Sequence, residues 1–214
     1  MLTRRLWLPV AILLALAGCR DAAAPLDEHN VTGDVVSALT SYGDMHILRQ
    51  SPTAPPLETY QVSFWASNDE ASTVTVNYQP AAGRSAGRPF LRFDIPRGAL
   101  RAGPHGLHLG RRDSVLITLT IDPASFSVEF EPSGLVFSKK HPAVLAIWYG
   151  NADPDLNGDG VVDATDQTLA AQLAIWGRHA KRAARWRETS SHTETGQQWV
   201  SAALHHFSEY AVCW

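Results

Sequence analysis

The sequence predicts an all-β protein: a Greek-key antiparallel β-sandwich with an acidic loop inserted between strands and a disordered tether at its N-terminal end. Three observations carry this expectation. Apolar and polar side chains alternate with a period of two over residues 60–65 and 73–78; the run VLITLTI at 115–121 is β-branched nearly throughout; and further short apolar runs follow at close intervals, separated by Pro and Gly. Short strands so spaced favour a sandwich over a fold in which strands alternate with long helices.

Ahead of the first strand the composition is different. Arg4 and Arg5 give a basic start, residues 6–16 an apolar run too short for a membrane span, and Ala17 and Gly18 lead into Cys19, so residues 1–18 read as a signal peptide. The order LAGC at 16–19 resembles the bacterial lipoprotein pattern, which implies cleavage before Cys19 and acylation of its thiol and new amino group. Acyl chains partition at about 0.8 kcal/mol per methylene, so several on one residue anchor a chain to a membrane without spanning it. Arg20 in place of Asp after the Cys implies the outer membrane, on its periplasmic or surface face, if the cell envelope is Gram-negative. Residues 20–34 carry few large apolar groups and read as a tether. Residues 35–50, with Val35, Val36, Leu39, Tyr42 and Ile47, fit a short helix or an extra strand, and SPTAPP at 51–56 is a stiff linker. The packed domain is therefore expected over 58–214, after a lipidated Cys19 and a tether and linker over 19–57.

Within that domain, Tyr60, Val62 and Phe64 alternate with Gln61, Ser63 and Trp65, and Val74, Val76 and Tyr78 with Thr73, Thr75 and Asn77; the polar turn 67–71 between them predicts a hairpin. Residues 79–88 form a loop, 90–95 a strand and 96–104 a second loop rich in chain breakers. Strands follow at 115–121, 126–130, 135–137, 144–149 and 199–204, and the apolar run 210–214 buries Cys213. Over 169–186 two patterns compete: Leu169, Leu173, Trp176 and Ala180 fall at helical spacing, yet Leu173, Ile175 and Trp186 equally fit two strands around the basic turn 177–182.

The segments PSGLVFS (132–138), AVLAIWY (143–149) and HFSEYAV (206–212), with VSFWA (62–66) and FLRFDIP (90–96) before them, resemble the ZU-five domain of ankyrins, netrin receptors and bacterial lipoproteins. The resemblance runs from about residue 60 to Trp214 and implies a β-sandwich, with a hairpin rather than a helix over 173–186. The family implies no enzymatic activity for this chain, and its animal members bind protein partners. Some relatives cut their own chain within a His-Phe-Ser motif, which here implies attack by the Ser208 hydroxyl on the Phe207 carbonyl with His206 moving the proton. A cut there would release only residues 208–214, so a non-catalytic strand in which Phe207 fills the core is the favoured reading and self-cleavage the alternative.

The densest chemistry lies at 153–166, DPDLNGDGVVDATD. Set against a calcium loop, Asp155 is position one, Asn157 three, Asp159 five, Gly160 six, Val161 seven through its carbonyl, Asp163 nine and Asp166 twelve. Side chains on alternate residues converge on one point, and calcium accepts six to eight oxygens at about 2.3 to 2.6 Å. The stretch also resembles a dockerin repeat, with Asp at position twelve. A single loop entered from a strand is not an EF-hand pair, so the expectation is one calcium ion held by Asp155, Asn157, Asp159, Val161, Asp163 and Asp166 in a site that stiffens a strand connection.

Other candidates are weaker. His105 and His108 lack a third ligand for zinc; His205 and His206 fall on opposite faces of a strand. The seven tryptophans suit core packing, with glycan stacking by Trp65, Trp148, Trp176 or Trp186 as the adhesion alternative. A net charge of -3 gives no electrostatic case for nucleic acid. The partners expected are thus the membrane, through the lipid, and a protein or glycan.

Overall fold

The computed structural model describes residues 41, 42, 45–178 and 185–214. Cys19, the signal segment and most of the tether lie outside the described residues. In chain order the elements are β1 (Ser41–Tyr42), β2 (Met45–His46), β3 (Gln61–Ser67), β4 (Ser72–Asn77), β5 (Pro89–Ile95), β6 (Leu100–Ala102), β7 (Ser114–Asp122) and β8 (Ser127–Glu131). There follow β9 (Val136–Phe137), β10 (Ala143–Trp148), α1 (Ala164–Ala170), β11 (Ala174–Arg178), β12 (Arg187–Glu188), β13 (Ser191–Glu194), β14 (Trp199–Leu204) and β15 (Glu209–Cys213).

The expected sandwich is there. One sheet has five strands in the order β13-β14-β10-β5-β4, the other six in the order β12-β11-β15-β8-β7-β3, and the pairings within each are antiparallel. Alternation explains the faces: Leu91, Phe93 and Ile95 of β5, Leu145 and Ile147 of β10, and Val200, Ala202 and Leu204 of β14 point inward from one sheet. Ile117, Leu119 and Ile121 of β7, Val128 and Phe130 of β8, and Tyr210 and Val212 of β15 meet them from the other. At the centre Phe207 packs on Phe130 at 4.8 Å, Phe137 at 5.1 Å and Phe93 at 5.9 Å between ring centroids, distances at which offset and edge-to-face pairs add to area burial.

One local expectation is corrected. Residues 60–65 and 73–78 do not form a hairpin: β3 pairs with β7 and β4 with β5, so the turn between them carries the chain from one sheet to the other. Both strands have the same half-buried alternation whichever partner they take, and the partner of β3 lies 47 to 59 positions away and that of β4 12 to 23. A true hairpin joins β7 to β8 through the left-handed Phe126, at φ 42°.

The packed body also reaches further back than residue 58. Leu48 and Leu57 are in the core, Leu48 donates its N–H to the Val212 carbonyl at 2.9 Å, and His46 and Trp214 exchange both backbone bonds at 2.9 and 3.1 Å. Met45 closes over Ala211 and Cys213. Cys213 is buried, as the apolar run implied, and burial pushes its thiol well above the ordinary range, so it behaves as a small apolar side chain.

After the acidic loop the two competing patterns prove to be consecutive. A single short helix, α1, occupies 164–170, and β11 and β12 then pair as a hairpin at the edge of the six-stranded sheet. Residues 179–184, most of the basic turn, lie outside the described residues. No helix among the described residues is long and apolar enough to cross a membrane.

Candidate functional site

The acidic loop leaves β10, passes through residues 149–163 and ends on α1. Its fold follows from side-chain carboxylates competing for backbone N–H groups, which is why Asp and Asn favour turns over regular structure. Asp155 accepts from Gly158 and Gly160 at 2.8 Å and from Asp159 at 3.2 Å. Asn157 accepts from Asp159 at 3.0 Å, and Asp159 from Val161 at 2.8 Å. Gly158 and Gly160 are left-handed, with φ of 73° and 84°, a conformation any side chain would strain.

Asp166 closes the loop. One of its oxygens accepts from Leu156 at 2.7 Å and Asn157 at 3.2 Å, the other from Asp163 at 2.9 Å, while Asp163 in turn accepts from Thr165 at 2.7 Å. The Asp163 side chain also accepts from the Asp166 N–H, which with the Asp163 N–H bond to Asp166 makes a capping box, so Asp163 and Asp166 start α1 and tie it to the loop entrance at once. Asp166 is only 3% exposed, sealed by its own loop rather than sunk in the sandwich core. Its carboxyl is held below the ordinary value of 3.8, first by the Asp163 N–H and then by those of Asn157 and Leu156, against the opposing effect of burial.

A depressed folded value has a definite consequence. The bonds to Asp166 contribute stability that is fully present above pH 3.8 and is lost as pH falls through the lower folded value. In calcium-free buffer, Asp166→Asn is expected to lower the urea midpoint at pH 7 and to differ little from the parent near pH 2; an undiminished gap in acid would contradict this account.

The donor set suits a hard, oxygen-seeking cation: carboxylates, one amide and the Val161 carbonyl at alternating positions, with glycine at the sharp turn. A carboxylate has about four acceptor sites, so one that accepts two or three N–H groups keeps lone pairs for a metal. The placement of the side chains does not gather them, however. Among the described residues no group of three or more His, Cys, Asp or Glu side chains is arranged to hold a metal ion. Asp155, Asp159 and Asp163 are turned toward backbone, and Val161 and Val162 are exposed. Beneath the loop a cleft of about 420 Å³ separates it from residues 48–54, with Leu48, Leu156 and Leu173 on its apolar side and Asp163 and Asp166 on its polar side.

The other sequence candidates are dispersed. Phe207 lies in the core and Ser208 is 5% exposed, its hydroxyl donating to the carbonyl of Arg178. The Phe207 N–H donates to the Leu135 carbonyl at 2.8 Å and the Ser208 carbonyl accepts from the Phe130 N–H at 3.2 Å, so the peptides on either side of the Phe207–Ser208 bond are each held. The Tyr210 hydroxyl donates to the His206 carbonyl at 2.7 Å. His105, left-handed at φ 61°, and His108 are exposed in the 103–110 loop. Trp65 is 67% exposed beside Leu116 on the outer face of β3 and β7, whereas Trp148, Trp176 and Trp186 are half-buried.

Sequence reasoning missed the role of Asp166 as a helix-starting residue, although Asp163 followed three positions later by an acidic residue is the spacing of a capping box. It also missed the packing of residues 45–57 onto the sandwich, of which 51–56 has a linker's composition. No protein-family model, curated protein or solved structure matches the chain. The resemblances to the ZU-five domain and to a dockerin repeat rest on the quoted residues.

Proposed function

We propose that this chain is a non-catalytic lipoprotein of the cell envelope, anchored through an acylated Cys19 and presenting its β-sandwich as a binding or structural module whose 155–166 loop holds one calcium ion. The observation that supports the calcium part is Asp166: a single carboxylate accepts N–H groups from both ends of the loop and starts α1, so whatever fastens this loop fastens the crossing from β10 to β11 between the two sheets. The ion would supply two positive charges against the four aspartates of the loop. Asp155, Asn157, Asp159, Asp163 and Asp166, with the Val161 carbonyl, are the residues that would hold it.

Calorimetric unfolding with calcium and with chelator tests this. For a dissociation constant of about 0.1 to 1 mM, 10 mM calcium stabilises the native state by about 1.4 to 2.7 kcal/mol. For a domain of this size that raises the melting temperature by roughly 3 to 10 °C, and an unchanged midpoint would overturn the site.

The non-catalytic reading is supported by the Ser208 hydroxyl, which donates to the Arg178 carbonyl of a neighbouring strand. Intact-mass measurement of protein extracted from membranes checks this and the anchor together. The expected result is one species, acylated at Cys19 and unbroken at 207–208; a fragment ending at Phe207 would establish self-cleavage, and an unmodified Cys19 would remove the anchor.

A further inference from the structure

Beside the entry to the acidic loop, two adjoining clefts of about 310 and 260 Å³ open at the end of the five-stranded sheet and share Tyr78, Arg88 and Asn151 as walls. The first is completed by Arg84, the second by Trp148 and Gln198. Neither is lined by any Asp or Glu, in a chain whose net charge is -3. The ion pairs among the described residues engage Arg92, Arg111 and Arg178, so Arg84 and Arg88, which line the clefts, have no carboxylate paired with them among the described residues.

The loop that carries the two arginines is seated rather than merely adjacent. Tyr78 donates its N–H to the Arg88 carbonyl at 2.9 Å, and a Cβ on Gly87 would lie 1.6 Å from the Tyr78 carbonyl oxygen, so only glycine lets the loop approach this closely. On the opposite wall Gln198 is held left-handed at φ 55°, its carbonyl accepting from Tyr149 at 2.8 Å. The Tyr78 hydroxyl is enclosed without a hydrogen-bond partner, and burial raises its pKa above the ordinary value against the smaller opposing effect of Gln50 and Asn151 nearby.

We propose that these joined clefts bind a carboxylate-bearing saccharide of the uronic-acid type. The half-buried face of Trp148 takes the apolar face of the sugar ring, and the Asn151 and Gln198 carboxamides, each both donor and acceptor, take its hydroxyls. Arg88, common to both clefts, grips the carboxylate with paired N–H donors, and Arg84 extends the positive wall toward a neighbouring acidic residue of the glycan.

None of the expected calcium ligands lines the clefts, so titration calorimetry in chelator tests the saccharide site apart from the ion. A galacturonate trimer is expected to bind saturably, with a neutral galactose trimer and the Arg88→Gln variant each weaker by about tenfold or more, the loss of one charge-assisted contact. Arg88 is exposed and pairs through its backbone, so Arg88→Gln should melt with the parent. Should it not, Arg84→Gln, expected to weaken binding severalfold, serves as the second variant. Absence of saturable galacturonate binding up to about 10 mM, a weak interaction even by ligand standards, would overturn the proposal. So would unchanged affinity in a folded arginine variant, or inorganic phosphate binding as tightly as the trimer.

Discussion

Phe207→Ala is expected to lower the free energy of unfolding by about 3 to 5 kcal/mol, the cost of deleting a fully packed aromatic ring and leaving a cavity. Phe207 sits where both sheets and the β6–β9 ribbon converge: its ring touches Phe93 of β5, Phe130 of β8 and Phe137 of β9, and its N–H is bound by Leu135. The surrounding groups cannot collapse into the space, because each ring is fixed by its own strand. Domains of this size are stable by only about 5 to 15 kcal/mol, so the variant should approach the threshold of unfolding at 37 °C. Urea denaturation followed by tryptophan fluorescence checks this. A loss below about 1 kcal/mol would mean that the ring is not packed as described.

Leu48→Ala should cost about 2 to 5 kcal/mol, as for other fully enclosed leucines. A domain beginning at residue 58 leaves Leu48 outside the packed body, where the same change would alter stability by less than about 0.5 kcal/mol. The structure places it at no measurable exposure beneath the acidic loop, with its N–H on Val212 of β15. The two outcomes are far apart, so one denaturation curve decides between a linker and a structural strand. The same variant also bears on the loop: Leu48 lines the cleft under Asp163 and Asp166, so any calcium-dependent stabilisation should fall in it as well.

Much of the fold was legible because strand periodicity is local. VLITLTI became the central part of β7, and the alternation at 199–204 became β14 over the same residues, since a period of two with β-branched side chains admits few other conformations. The region after the acidic loop resisted reading for a physical reason: α1 and β11 follow each other so closely that their apolar residues overlap both periods, and a capping box, not hydrophobic spacing, sets where the helix begins. In the candidate sites, the aspartates at alternating positions were visible in the sequence, but what each carboxylate accepts was not. Of the cleft between Arg84, Arg88 and Trp148 the sequence offered only the tryptophan, one of four glycan-stacking candidates, because its walls come from the 79–88 loop, the end of β10 and the turn before β14.

By itself the sequence determined the β class, the position of most of the longer strands, the burial of Cys213 and the presence of one acidic, glycine-bearing loop, all properties of neighbours along the chain. Only the tertiary structure decided that β3 and β4 belong to different sheets, that residues 45–57 are part of the sandwich and that the arginine loop meets a tryptophan wall. Those depend on which distant surfaces bury each other, and burial is a property of pairs of elements that no single stretch of sequence contains.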